Sequence, residues 1–186
     1  MRIRNVFLCL LALLFASIEV EAALNKHILV GYWHNFKNGA ANCLKLSQVD
    51  NSWDVINLSF AEPTSSTSGD LVYNPLADGI YATEAEFIND VKAVQAAGKK
   101  VILSIGGANG QVRLETTAAR DKFVQTATDI ITKYGLDGLD VDFEGQSLSL
   151  NATDYDFKNP TTPVIVNLIS ALKSLKAHFG ANFMLT

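Results

Sequence analysis

Apolar residues along this chain gather in short runs separated by longer segments with helical spacing. Ile28–Trp33, Val55–Phe60, Val101–Ile105 and Leu139–Phe143 each have strand length, and Phe183–Leu185 begins another run at the end of the sequence. Polar or turn residues bound them, as Lys99-Lys100 and Gly106-Gly107 bound the third. Between the runs, Glu84–Ala97 sets Phe87, Ile88, Val91 and Val94 at helical spacing and stops at Gly98. Thr117–Tyr134 carries Phe123, Ala127, Ile130 and Ile131 on one face and is closed by Gly135. Thr162 and Pro163 read as the cap and first residue of a third helix, which runs to Phe179 before Gly180. The connection from Gly31 to Asn51 is loop-like, with one short helix expected over Leu44–Val49. Thr64–Gly69 reads as a polar loop.

Alternation of strands and helices predicts an α/β fold with parallel strands joined by right-handed crossovers. The pattern gives four units and the first residues of a fifth strand. An open sheet of five strands would leave the last with almost no length. Units of this kind otherwise close as an eight-stranded barrel of ~250 residues. The expectation is therefore a (β/α)8 TIM barrel truncated to its first four to five strand-helix units.

The N-terminus changes the picture of where the protein works. Met1–Arg4 is basic, Val6–Phe15 is an apolar run too short to span a bilayer, and Val20-Glu21-Ala22 offers a cleavage site. Residues 1–22 therefore read as a secretory signal peptide, and residues 23–186 as the mature part of a secreted, extracellular protein. No later stretch approaches the ~20 apolar residues of a membrane span. The formal charge of −4 is scattered, which argues against nucleic acid or a membrane surface as partner. A neutral partner, and a monomeric state, are expected. Of the two cysteines, Cys9 would leave with the signal, so Cys43 has no mate in this sequence. One Cys and the scattered His27, His34 and His178 do not build a metal site, and no cofactor is expected.

The candidate chemistry lies in Gly135–Gly145. A buried parallel strand should be almost wholly apolar, yet this one alternates. Leu139, Val141 and Phe143 point one way, and Asp140, Asp142 and Glu144 the other, ~6.6 Å apart at ~3.3 Å rise per residue. With the apolar set against helices, the acids face the barrel interior. Gathering like charges away from water is costly and makes them share protons. Such a row at the C-terminal end of a barrel strand is what a catalytic site needs. Asp137 precedes the strand and reads as a turn or cap residue.

Asp137-x-x-Asp140-x-Asp142-x-Glu144 resembles the DxxDxDxE signature of glycoside hydrolase family 18. Ser104-Ile-Gly106-Gly107 is similar to that family's SxGG element, and Gly31-Tyr-Trp33 and Asn57–Ala61 sit where members carry similar residues. The resemblance covers nearly all of the chain after residue 22. It implies hydrolysis of β-1,4 linkages in chitin or N-acetylglucosamine oligosaccharides, with retention, by a route in which the substrate's own acetamido group is the nucleophile. Glu144 would be the acid that protonates the leaving oxygen, Asp142 the partner of the acetamido N–H, and Asp140 a deeper carboxylate able to share a proton with Asp142. Tyr32, Trp33 and Phe60 are candidate groove or core aromatics, and Gly106 and Gly107 let the chain pass close to the site. The family's further site residues on later strands have no counterpart in this sequence. A non-catalytic carbohydrate-binding relative and an endo-β-N-acetylglucosaminidase remain alternatives. Asn151-Ala-Thr153 is a glycosylation sequon in a polar loop, whereas Asn57-Leu-Ser59 falls in a predicted buried strand.

Overall fold

The computed structural model describes residues 24, 26–37, 39 and 43–186. The signal-peptide reading of residues 1–22, Cys9 included, lies outside them. Five parallel strands are arranged in chain order: β1 (Val30–His34), β2 (Val55–Pro63), β4 (Lys100–Gly106), β5 (Gly138–Asp142) and β6 (Met184–Leu185). A two-residue strand, β3 (Leu71–Val72), turns back antiparallel onto Glu62 and Pro63 of β2. Three α-helices fill the later connections: α1 (Glu84–Ala96), α2 (Thr117–Tyr134) and α3 (Pro163–Phe179). The connection from β1 to β2 holds only a short 3-10 turn at Leu46–Gln48, inside the expected Leu44–Val49 segment.

Local sequence explains the helix ends. Thr83 and Thr116 are N-caps whose side chains accept from the backbone N–H of Glu86 and Ala119. Glu84 and Glu86 add negative charge to the first turn of α1, where the helix dipole favours it. Gly135 closes α2 in the left-handed region at φ 66°, which only glycine enters cheaply. α3 begins with Pro163, whose missing N–H costs nothing at that position.

Because each strand lies beside its sequence neighbour and crossovers are right-handed, the helices share one face of the sheet. Trp33, Leu58, Leu103 and Leu139 form one register row on that face, and all are buried. They pack with Phe87 and Val91 of α1, Phe123 and Ile131 of α2, and Leu168 and Leu175 of α3 in a single core. Phe87 is fully buried at its centre, within 5.3–6.2 Å, ring to ring, of Trp33, Tyr73, Tyr81 and Tyr134. The row one residue on, His34, Ser59, Ser104 and Asp140, faces the other way. Among the described residues the sheet keeps two edges, β1 and β6, and no closed cylinder forms. None of these helices is long and apolar enough to cross a membrane.

Candidate active site

The acid strand behaves as its alternation predicts. Leu139 is buried in the core, and Val141 and Phe143 pack against it. Asp140 and Asp142 occupy the opposite face of β5, and Glu144 follows in extended backbone just beyond the strand end. Exposure rises along this row. Asp140 is buried, Asp142 half-buried and Glu144 exposed.

Asp140 is held by hydroxyl donors from three other strands. Ser104 Oγ on β4 donates to its Oδ2 at 2.7 Å, and Tyr32 Oη on β1 donates to the same oxygen at 3.1 Å. Thr186 Oγ1, just past β6, donates to Oδ1 at 2.7 Å. These donors satisfy the buried carboxyl oxygens, which lets the group lie out of water. The Tyr32 phenol is pushed above its ordinary range, chiefly by burial and then by the Asp140 charge beside it. It therefore stays protonated and keeps donating. Among the described residues, no hydrogen bond links the Asp140 and Asp142 side chains.

The two outer acids differ. The side chains of Asp142 and Glu144 accept no hydrogen bond and make no ion pair among the described residues. The backbone beneath them is fixed. Gly107 N–H donates to the Asp142 carbonyl at 2.7 Å. Gly106 has φ 109°, and a Cβ there would lie 2.1 Å from the same carbonyl oxygen. The two glycines thus set β4 against the acid strand. Phe60 is half-buried, its ring 6.1 Å from that of Tyr32 and against Gly107.

Two sequence readings are refined here. Of the two alternatives for Trp33, groove or core, the structure shows the core. Trp33 lies on the helix-facing side, 4% exposed, with Nε1 donating to the Leu44 carbonyl at 2.7 Å. Tyr32, on the other face of β1, is the aromatic that meets the acids. Asp137 is more than a turn residue. Its Oδ2 accepts from Val101 N and from Gln95 Nε2, both at 2.8 Å, and Lys100 Nζ lies 3.3 Å from Oδ1. It ties α1, β4 and β5 together at the end of the strand remote from Glu144. Thr186 was not anticipated, because nothing in its local sequence marks it; only register beside β5 brings it to Asp140. Among the described residues Cys43 has no disulfide partner. Among the described residues no group of three or more His, Cys, Asp or Glu could hold a metal ion.

The model of the glycosyl hydrolases family 18 matches residues 28–186, the span that holds this sheet and all four acids. The chain belongs to that family. Exochitinase 1 of Streptomyces olivaceoviridis is 60% identical over 174 residues, covering 89% of this family 18 chain and 28% of the exochitinase. A probable class II chitinase of Arthroderma benhamiae is 57% identical over 144 residues, 76% of this chain and 43% of its own length. The crystal structure of a family 18 chitinase from Chromobacterium violaceum superposes with a TM-score of 0.75 at 42% identity, over 87% of this chain and 40% of that one. The family 18 chain thus spans less than half the length of each of these relatives.

Proposed function

We propose that this chain carries the proton-donating side of a chitin-hydrolysing site, and that Glu144 is its acid. The observation that carries the reading is the graded burial of Asp140, Asp142 and Glu144 along one strand face. The innermost carboxylate is bound by three hydroxyls, and the outermost has no partner among the described residues and is exposed. The names of the similar proteins, an exochitinase and a class II chitinase, favour a polymer of N-acetylglucosamine as substrate over a glycoprotein glycan.

In the proposed reaction the acetamido carbonyl oxygen of the sugar attacks its own anomeric carbon. Glu144 gives its proton to the glycosidic oxygen as the C1–O bond breaks, and the shortened chain leaves as an alcohol. Asp142 accepts from the acetamido N–H and offsets the positive charge that grows on the resulting ring. Glu144, now a carboxylate, takes a proton from water as that water adds to C1 and regenerates the acetamide. Attack twice at one carbon returns the original β configuration. Asp140, fixed by Tyr32, Ser104 and Thr186, acts as a positioning residue that holds the interior of the strand polar and rigid. The likeness to the Chromobacterium violaceum enzyme supports the sheet as one side of an eight-stranded barrel, with the acids inside it. We read residues 1–22 as a cleaved signal and the site as working outside the cell.

Incubation with N-acetylglucosamine oligosaccharides, followed by proton NMR of the newly formed reducing end, tests this. The expected first product is the β anomer. A first product of α configuration contradicts the substrate-assisted route, and absence of cleavage contradicts the activity.

A further inference from the structure

We propose that Asn151 is the N-glycosylation site of the folded protein. The inference rests on the secretion reading above, since the modification is made on entry to a secretory compartment.

Three places in the sequence have Asn two residues before Ser or Thr: Asn57-Leu58-Ser59, Asn151-Ala152-Thr153 and Asn159-Pro160-Thr161. The fold separates them. Asn57 is 1% exposed and Ser59 fully buried, on the sheet face that also carries Tyr32 and Ile102. A glycan on Asn57 has no way out between the strands. A transferase acts before folding is complete, so burial does not shield Asn57 from it; burial means that a chain so modified does not reach this fold. Asn159 is followed by proline, which the acceptor triplet does not tolerate. Its Nδ2, the atom that would carry the sugar, donates instead to Asp156 Oδ2 at 2.7 Å.

Asn151, Ala152 and Thr153 are all exposed. The backbone around them is fixed. Asn151 N–H donates to Thr162 Oγ1 at 3.0 Å, and Asp154 N–H closes a turn onto the Asn151 carbonyl at 3.0 Å. The Asn151 side-chain amide makes no hydrogen bond among the described residues, so it is open for substitution. Anchorage to Thr162 puts the turn beside the start of α3.

The step is a glycosyl transfer. Asn151 Nδ2 forms a bond to the anomeric carbon of an oligosaccharide carried on a lipid pyrophosphate. The carbon–oxygen bond to that phosphate breaks, the lipid pyrophosphate leaves with the electron pair, and the amide gives one proton to the transferase.

The test secretes the full chain from eukaryotic cells, once with its own first 22 residues and once with an unrelated secretion leader in their place. Intact mass is measured before and after enzymatic release of N-glycans in heavy-oxygen water, which converts the modified Asn to a labelled Asp. The expected result is one glycan, at Asn151, lost in both Asn151→Gln and Thr153→Ala and kept in Ser59→Ala. Leader-driven, secreted protein with unmodified Asn151, or with its glycan at Asn57, overturns the proposal. Modification with the unrelated leader but not with the native N-terminus upholds the site and overturns the secretion reading instead.

Discussion

At the base of β5 the Asp137 carboxylate is engaged by a backbone N–H, a glutamine amide and a lysine. Two residues past the top of the same strand, the Glu144 carboxylate has no partner among the described residues and is exposed. Both acids belong to one eight-residue motif, so identity and spacing do not distinguish them. What differs is the supply of donors. At the base, α1 ends and β4 begins close together, and they present groups that must be satisfied. At the top, Gly106 and Gly107 bring only backbone to the strand, and the outer acids are left free. A carboxylate already paired is a structural element, and one left open can exchange a proton with a ligand.

The contrast is sharpened most by Asp142→Asn, at the open end. We expect turnover of N-acetylglucosamine oligosaccharides to fall about 10²–10³-fold, the usual scale for removing one electrostatic stabiliser of a developing charge. Thermal stability should hardly move. Asp137→Ala should do the reverse. It removes the acceptor of the Val101 N–H, one of the two acceptors of the Gln95 amide and the carboxylate beside Lys100, at a cost of about 2–3 kcal/mol by chemical denaturation. Oligosaccharide affinity of the fraction that folds should be unchanged. Equal losses of turnover in the two variants at matched folded fraction would break the comparison.

Much of this was legible in the sequence, and the reasons are local. The α2 boundaries follow from Thr116 and Gly135, and the facing of the acids follows from strict alternation along β5. The failures have a common cause. β1 carries large aromatics at adjacent positions, so alternation alone did not say whether Tyr32 or Trp33 faced the helices. The two-residue β3 exists only through its pairing with Glu62 and Pro63. The three hydroxyls on Asp140 come from residues 36 to 108 positions away, and register rather than pattern assembles them.

Smaller effects probe the same divide. Gly106→Ala places a methyl against the Asp142 carbonyl in a left-handed backbone, and should cost about 1–3 kcal/mol. Because it displaces the strand beneath Asp142, turnover should fall as well, unlike in Asp137→Ala. The smallest effect is at Asp154, which caps the entry to α3 by accepting from Thr162 Oγ1 and from the N–H groups of Thr161 and Thr162. The Thr162 hydroxyl first, then these backbone donors, hold its carboxyl below the usual aspartate value. A depressed value in the folded state means stability that is present above the ordinary aspartate range, about pH 4, and is lost as pH falls through the lower folded value. Melting temperatures of wild type and Asp154→Asn should therefore differ near neutral pH and converge in acid.

The most direct test of the central claim is Glu144→Gln, assayed for oligosaccharide cleavage and for melting temperature in the same preparation. The account predicts turnover at least about 10²–10⁴-fold down, with the melting temperature and oligosaccharide binding retained. Cleavage at the wild-type rate by this variant would contradict it.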